Sequence, residues 1–226
     1  MPKKPYARHA SVPYVAPFGA FMLCIALQKW LPTPEIVAIP LQLALLGAVI
    51  YAFSWEIVDL HASRVLQSAL LGVGVFVIWI LPDVLFPHYR EHWMLQNAFT
   101  GFAKSSLSSD GVKSPAVWVL RSLRAVMFVP LLEELFWRGW LMRWLISPRF
   151  ERIPLGTYAA QSFWLTAVLF ASEHGPYWDV GLVTGVVYNF WLMKTRRLGD
   201  CILAHAVTNA CLAGYVVATH RWEYWL

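Results

Sequence analysis

From residue 36 to residue 54 the chain carries no charged side chain, and from 65 to 85 only Asp83. A run of about 20 mostly apolar residues is long enough to cross the roughly 30 Å hydrocarbon core of a bilayer as a helix. Five further apolar runs, at 13–30, 116–145, 158–172, 180–193 and 201–219, extend the pattern. The fourth span is too long for one simple crossing, so it bends or its end runs along the interface. The fifth and sixth are short. The longest polar stretch, 86–115, contains Lys104-Ser-Ser-Leu-Ser-Ser-Asp110-Gly111 and reads as a loop with a surface helix. No internal repeat or low-complexity tract divides the chain. The expectation is a single domain over 1–226. It is an all-α polytopic transmembrane helix bundle of seven to eight helices around a polar intramembrane cavity.

Only 14% of residues are charged and 58% are hydrophobic, against roughly 25% charged in an ordinary soluble domain. That balance excludes disorder and a secreted disulfide scaffold. Tryptophans such as Trp30, Trp55, Trp93, Trp178, Trp222 and Trp225 lie near run ends, where the headgroup level suits an amphipathic ring. The net charge of +5 is spread among loops without a recognition motif, so no nucleic-acid partner is expected. Cys24, Cys201 and Cys211 lie in apolar runs without metal-finger spacing and read as packing residues. The first apolar run ends in Gln28-Lys29-Trp30 with no small-residue cleavage site, and reads as an uncleaved span.

Basic residues set the expected orientation. The loops on the N-terminal side hold Lys3, Lys4, Arg8, Arg64, Arg143, Arg149, Arg152, Lys194, Arg196 and Arg197. The other side holds Lys29, Arg90, Lys104, Lys113 and Arg221. Ten against five places the N-terminus in the cytoplasm, in a multi-pass inner-membrane protein. Arg121 and Arg124 share a face of the fourth span and read as snorkelling or binding lipid phosphate. Asp83, next to Pro82, reads as a helix end.

Ionisable groups within spans cost roughly 2.5–3.5 kcal/mol at the bilayer centre and usually mark pairing or function. In Glu133-Glu134-Leu-Phe-Trp-Arg138, Glu134 and Arg138 stand at i and i+4 and can pair. A structural salt bridge is the preferred reading for those two. Glu133, about 100° away around the helix, has no helical partner, which suits a general base. His174, in Phe170-Ala-Ser-Glu173-His174-Gly175-Pro176, taken alone reads as an interfacial histidine before a helix stop. Glu173 points elsewhere on a helix and reads as solvated. His205 and Asn209 share one stripe of the last span. They fit a site and helix–helix hydrogen bonding equally well. Three helices each supplying such groups point to one polar cavity.

Glu133-Glu134…Arg138, Phe170…His174 and His205…Asn209 resemble, in order and spacing, the EExxxR, FxxxH and HxxxN motifs of the CPBP (Abi) family, which contains the type II CAAX prenyl endopeptidases. The resemblance covers about 116–219. The short length and layout also resemble a bacterial CAAX protease-related branch found with exosortase systems. The resemblance implies an intramembrane glutamic endopeptidase acting on a membrane-associated or lipidated peptide. In it Glu133 and His174 would activate water, and His205 and Asn209 would stabilise the oxyanion. Glu134 and Arg138 would hold the helix geometry. One Glu and two His are also possible zinc ligands, but HExxH is missing and Asn209 would be an unusual ligand. The resemblance implies no metal and no cofactor.

Counting residues leaves a conflict of depth. His205 lies near the cytoplasmic end of its span, and His174 near the far end of its own. Either the fifth helix starts deeper or the fourth bends after Arg138. Substrate access is expected laterally or from the cytoplasmic face. The competing functions are a non-catalytic membrane scaffold or chaperone and, with less support, a transporter or proton relay.

Overall fold

The structure, a computed structural model, describes residues 9–28, 30–31 and 33–225. Lys3, Lys4, Arg8 and Lys29, which contribute to the charge asymmetry, lie outside the described residues. The chain is all-helical among those described. We label the main elements α1 (Val12–Gln28), α2 (Glu35–Ser54), α3 (Val65–Leu85), α4 (Pro115–Trp144), α5 (Ala160–Ser172), α6 (Trp178–Thr195) and α7 (Leu198–Thr219). Four of them, α2, α3, α4 and α7, are long and apolar enough to cross a membrane. Their outward side chains, such as Leu41, Leu70 and Val119, are more than 60% exposed. Water would penalise that much apolar surface, whereas lipid does not. The protein is a membrane protein.

Packing between helices relies on small residues and a few polar bonds, because lipid supplies no hydrophobic drive between helices. Gly72 brings α3 against α7: a Cβ there would sit 2.3 Å from Ala204 O. Gly185 does the same for α6 against α5, with Ala167 Cα 3.0 Å from a Cβ. Asp200, buried in the first turn of α7, accepts from Arg64 N (2.8 Å), Ser63 Oγ (2.7 Å) and Ser68 Oγ (3.2 Å). It ties the start of α3 to the start of α7.

The polar stretch after α3 is folded. It contains a four-residue helix, Ser109–Val112, and is pinned by Arg90. That guanidinium bonds Asp83 Oδ1 (3.1 Å), Asp179 Oδ1 (2.5 Å) and Pro176 O (2.9 Å). Burial opposes the Arg90 charge, but Asp83 and Asp179 outweigh it and raise its pKa. Tyr224 from the C-terminal segment donates to Asp83 Oδ2 at 2.8 Å. Nothing in the local sequence pattern announced this four-way junction.

α4 is the irregular element. At about 1.5 Å per residue its 30 residues would reach about 45 Å. Two π-helical stretches, Arg124–Phe128 and Leu135–Leu141, interrupt it. The first has an identifiable cause in Pro130. Val129 N–H reaches back to Arg124 O, so the next bond in that register would need an N–H that proline lacks. The Ala125 carbonyl is thereby left without a helical donor.

Candidate functional site

The two π stretches flank the turn that holds Glu133 and Glu134, and such bulges gather at functional sites. Both carboxylates are buried, but their surroundings differ. Glu134 Oε1 accepts from Arg138 Nη1 (3.2 Å) and lies 3.0 Å from His205 Nδ1. Arg138 also donates to Asn189 Oδ1 (3.0 Å) and Gly185 O (3.4 Å), and its guanidinium stands 4.5 Å from the Phe170 ring centroid. Asn189 in turn donates to Phe163 O at 2.9 Å. One continuous network therefore joins α4, α5, α6 and α7. Asn189 was missed in the sequence, although a lone amide within an apolar run met the same test applied to Glu133.

Glu133 Oε2 is buried with no hydrogen-bond partner among the described residues. Such an orphan needs a water or ligand. The space beside it is a cavity of about 1120 Å³ lined by Glu133, Glu173, His174, His205, Asn209 and Tyr188, among others. The cavity brings together Glu133, His174, His205 and Asn209, while Glu134 and Arg138 stand behind them. Carboxylate or ring-nitrogen atoms of Glu133, Glu173 and His174 lie within 4.8 Å of one another. A single water hydrogen-bonds at about 2.8 Å and so can touch all three. A divalent cation of suitable geometry could be shared by the same atoms.

Glu173 differs from its sequence reading as a solvated side chain. Glu173 is the C-cap of α5 and keeps an αR backbone. Seven residues after buried Thr166 and three after buried Phe170, it stays on the buried face of α5, where Trp137 Nε1 donates to its Oε1 at 3.0 Å. Facing about 100° from His174 does not take it off that broad face.

The two histidines are oriented alike. His174 Nδ1 lies 2.7 Å from Phe170 O and His205 Nδ1 lies 3.0 Å from Glu134 Oε1. Both acceptors require an N–H at Nδ1, which leaves each Nε2 for the cavity. Gly181 makes room for His174, whose ring would be 3.3 Å from a Cβ there. Asn209 Nδ2 donates to Ala125 O at 2.8 Å, the carbonyl orphaned by Pro130. One amide N–H is thus committed to α4, and the amide has a second.

The depth conflict is resolved by a short α5. Ser162 Oγ bonds Met142 O, so the start of α5 stands beside the last turn of α4. Its 13 residues carry His174 about 20 Å inward at helical rise, not across the bilayer. The cavity lining extends to Gln28, Glu35, Ser108 and Trp225, at the end of α1, the start of α2, the segment before α4 and the segment after α7. These lie at the end of the bundle opposite the start of α1. Arg121 and Arg124 line the same cavity, each only 8% exposed, and do not snorkel.

Among comparisons with known proteins, neither a curated relative nor a solved structure matches this chain. A family model does: type II CAAX prenyl endopeptidase Rce1-like, over residues 115–211. The matched stretch begins with α4, ends within α7, and contains Glu133, Glu173, His174, His205 and Asn209. Over this stretch, somewhat less than half of the chain, the protein is similar to the Rce1-like type II CAAX prenyl endopeptidases.

Proposed function

We propose that this protein is an intramembrane endopeptidase that hydrolyses its substrate with a water held by Glu133, Glu173 and His174. The observation that carries the reading is buried Glu133, with Oε2 unpartnered among the described residues and a carboxylate oxygen within 4.8 Å of ligating atoms of both Glu173 and His174. Glu133 accepts a proton as the water attacks the scissile carbonyl carbon. His174 Nε2, its tautomer fixed by Phe170 O, orients that water. The proton then passes to the leaving nitrogen as the C–N bond breaks, so one water is consumed and the site returns to its starting state.

The developing oxyanion needs donors placed in advance. His205, whose Nδ1 lies 3.0 Å from Glu134 Oε1, supplies one from Nε2 when that nitrogen carries a proton. The second N–H of Asn209 supplies the other, while its first holds α4. Glu134 and Arg138 keep the helix geometry. No covalent intermediate and no metal are required.

The chain lies in the cytoplasmic membrane with its N-terminus inside, on the charge asymmetry of its loops. The cavity mouth then faces the exterior. A Thr33→Cys probe in a Cys24→Ala, Cys211→Ala background tests this. An impermeant maleimide should label it in intact cells, and labelling only after permeabilisation would reverse the orientation.

The activity test uses proteoliposomes carrying a library of lipid-anchored fluorogenic peptides, with products read by mass spectrometry. Wild type should cleave a subset, and Glu133→Gln should not, while eluting as a folded monodisperse species. Cleavage by Glu133→Gln at the wild-type rate would end the glutamate reading. Loss of wild-type activity to a chelator, with recovery on adding zinc, would replace it with a metal site on the same trio.

A further inference from the structure

Among the described residues Arg124 is a buried cation without a counter-charge. It sits in the first π stretch of α4, 8% exposed, in the wall of the cavity between its mouth and Glu133. Its one hydrogen-bond partner among the described residues is the neutral amide oxygen of Gln42. The Phe21 ring centroid lies 6.0 Å from its guanidinium carbon. No described carboxylate forms an ion pair with it, whereas Arg138 has Glu134, and Arg90 has Asp83 and Asp179. Arg143, buried at the other end of α4, spends its N–H groups on the Gly139 and Ile153 carbonyls. Arg124 is thus the exception among these arginines: five N–H donors, one acceptor, and an open cavity beside it. Arg121 lines the same wall one turn away.

Resting on the endopeptidase reading, we propose that Arg124 is a substrate-binding subsite for a peptide carboxylate. A guanidinium takes a carboxylate in a two-pronged bond that an amide cannot match. Depth decides between a peptide and a lipid phosphate. Arg124 lies nine residues inside the start of α4, about 13 Å along the helix, below the level at which headgroup phosphates sit. Glu133 lies nine residues further, about another 13 Å. Extended chain advances about 3.3 Å per residue, so the bound carboxylate stands about four residues from the scissile bond. Among the described residues Glu35 accepts from Ser108 N (2.6 Å) and Ser108 Oγ (2.9 Å), and its charge acts on Arg121, not on Arg124.

The test measures binding, so it does not depend on cleavage. Pairs of fluorescent peptides, differing only in a carboxylate or a carboxamide at the acidic position or chain end, are titrated against Glu133→Gln protein in nanodiscs. The carboxylate member should bind about tenfold or more tightly. Adding Arg124→Gln should abolish that preference and leave carboxamide peptides within about twofold. Gln42→Leu keeps the guanidinium and should retain the preference, even if it lowers thermal stability. Equal weakening of both peptides by Arg124→Gln would overturn the subsite, as would loss of the preference in Gln42→Leu. Phospholipid retained by the wild type in native mass spectrometry, lost in Arg124→Gln, with no peptide preference, would assign the site to lipid. A wild type that binds acidic peptides selectively but cleaves none would sink the endopeptidase reading and leave the carboxylate subsite standing.

Discussion

α3 and α4 face the same bilayer with opposite chemistry. α3 carries one ionisable residue, Asp83 in its last turn, and runs as uninterrupted α-helix from Val65 to Leu85. α4 carries Arg121, Arg124, Glu133, Glu134, Arg138 and Arg143, and is broken by two π stretches and Pro130. α3 meets its surroundings mainly through apolar side chains and the Gly72 contact, with polar bonds from Ser68, Trp79 and Asp83. α4 is tolerated because each charge has either a partner or the cavity. The bilayer does not forbid charge; it requires that charge face protein or water.

Substituting within α4 should break this contrast most severely. Glu133→Gln should lower cleavage by about 10²–10⁴-fold, the range for loss of a general base, with little change in unfolding temperature. Its neighbour should behave in reverse. Glu134→Leu leaves Arg138 buried without its carboxylate and should destabilise by about 3–5 kcal/mol, read as a lowered thermal midpoint in detergent. If both variants lost activity and stability in equal measure, the division of labour between these adjacent carboxylates would fail.

A smaller effect tests the backbone origin of the irregularity. Asn209→Ala strips the Ala125 carbonyl of its donor and should cost about 1–3 kcal/mol. Pro130→Ala restores an N–H in that turn. The double variant should therefore recover part of the loss, a coupling visible in a double-mutant cycle. Strict additivity would show that Pro130 does not create the vacancy that Asn209 fills. The smallest change belongs to α3: Val73→Ala, 42% exposed toward lipid, should stay within about 0.5 kcal/mol. A large effect there would mean that α3 has a hidden protein partner.

Much of this was visible in the order of residues. Apolar length gave the helices, since a bilayer leaves few alternatives, and misplaced charges singled out Glu133, Glu134, Arg138, His174, His205 and Asn209. Local periodicity was not enough elsewhere. Glu173 reads as solvated from its offset of about 100° to His174, yet it shares the buried face of α5 with Thr166 and Phe170. Asn189 went unremarked because a single amide carries no periodic signal. Asp83 and Arg90 look unrelated until folding brings them together.

The chain order alone determined the class of fold, the likeness to the CAAX endopeptidases over residues 115–211, and which side chains were too polar for their place, because solvent transfer acts residue by residue. Tertiary structure alone decided which polar groups share a cavity and how each imidazole is turned. Those depend on where α5 begins and how α4 is interrupted, distances between segments far apart in the chain, and no local pattern encodes a distance.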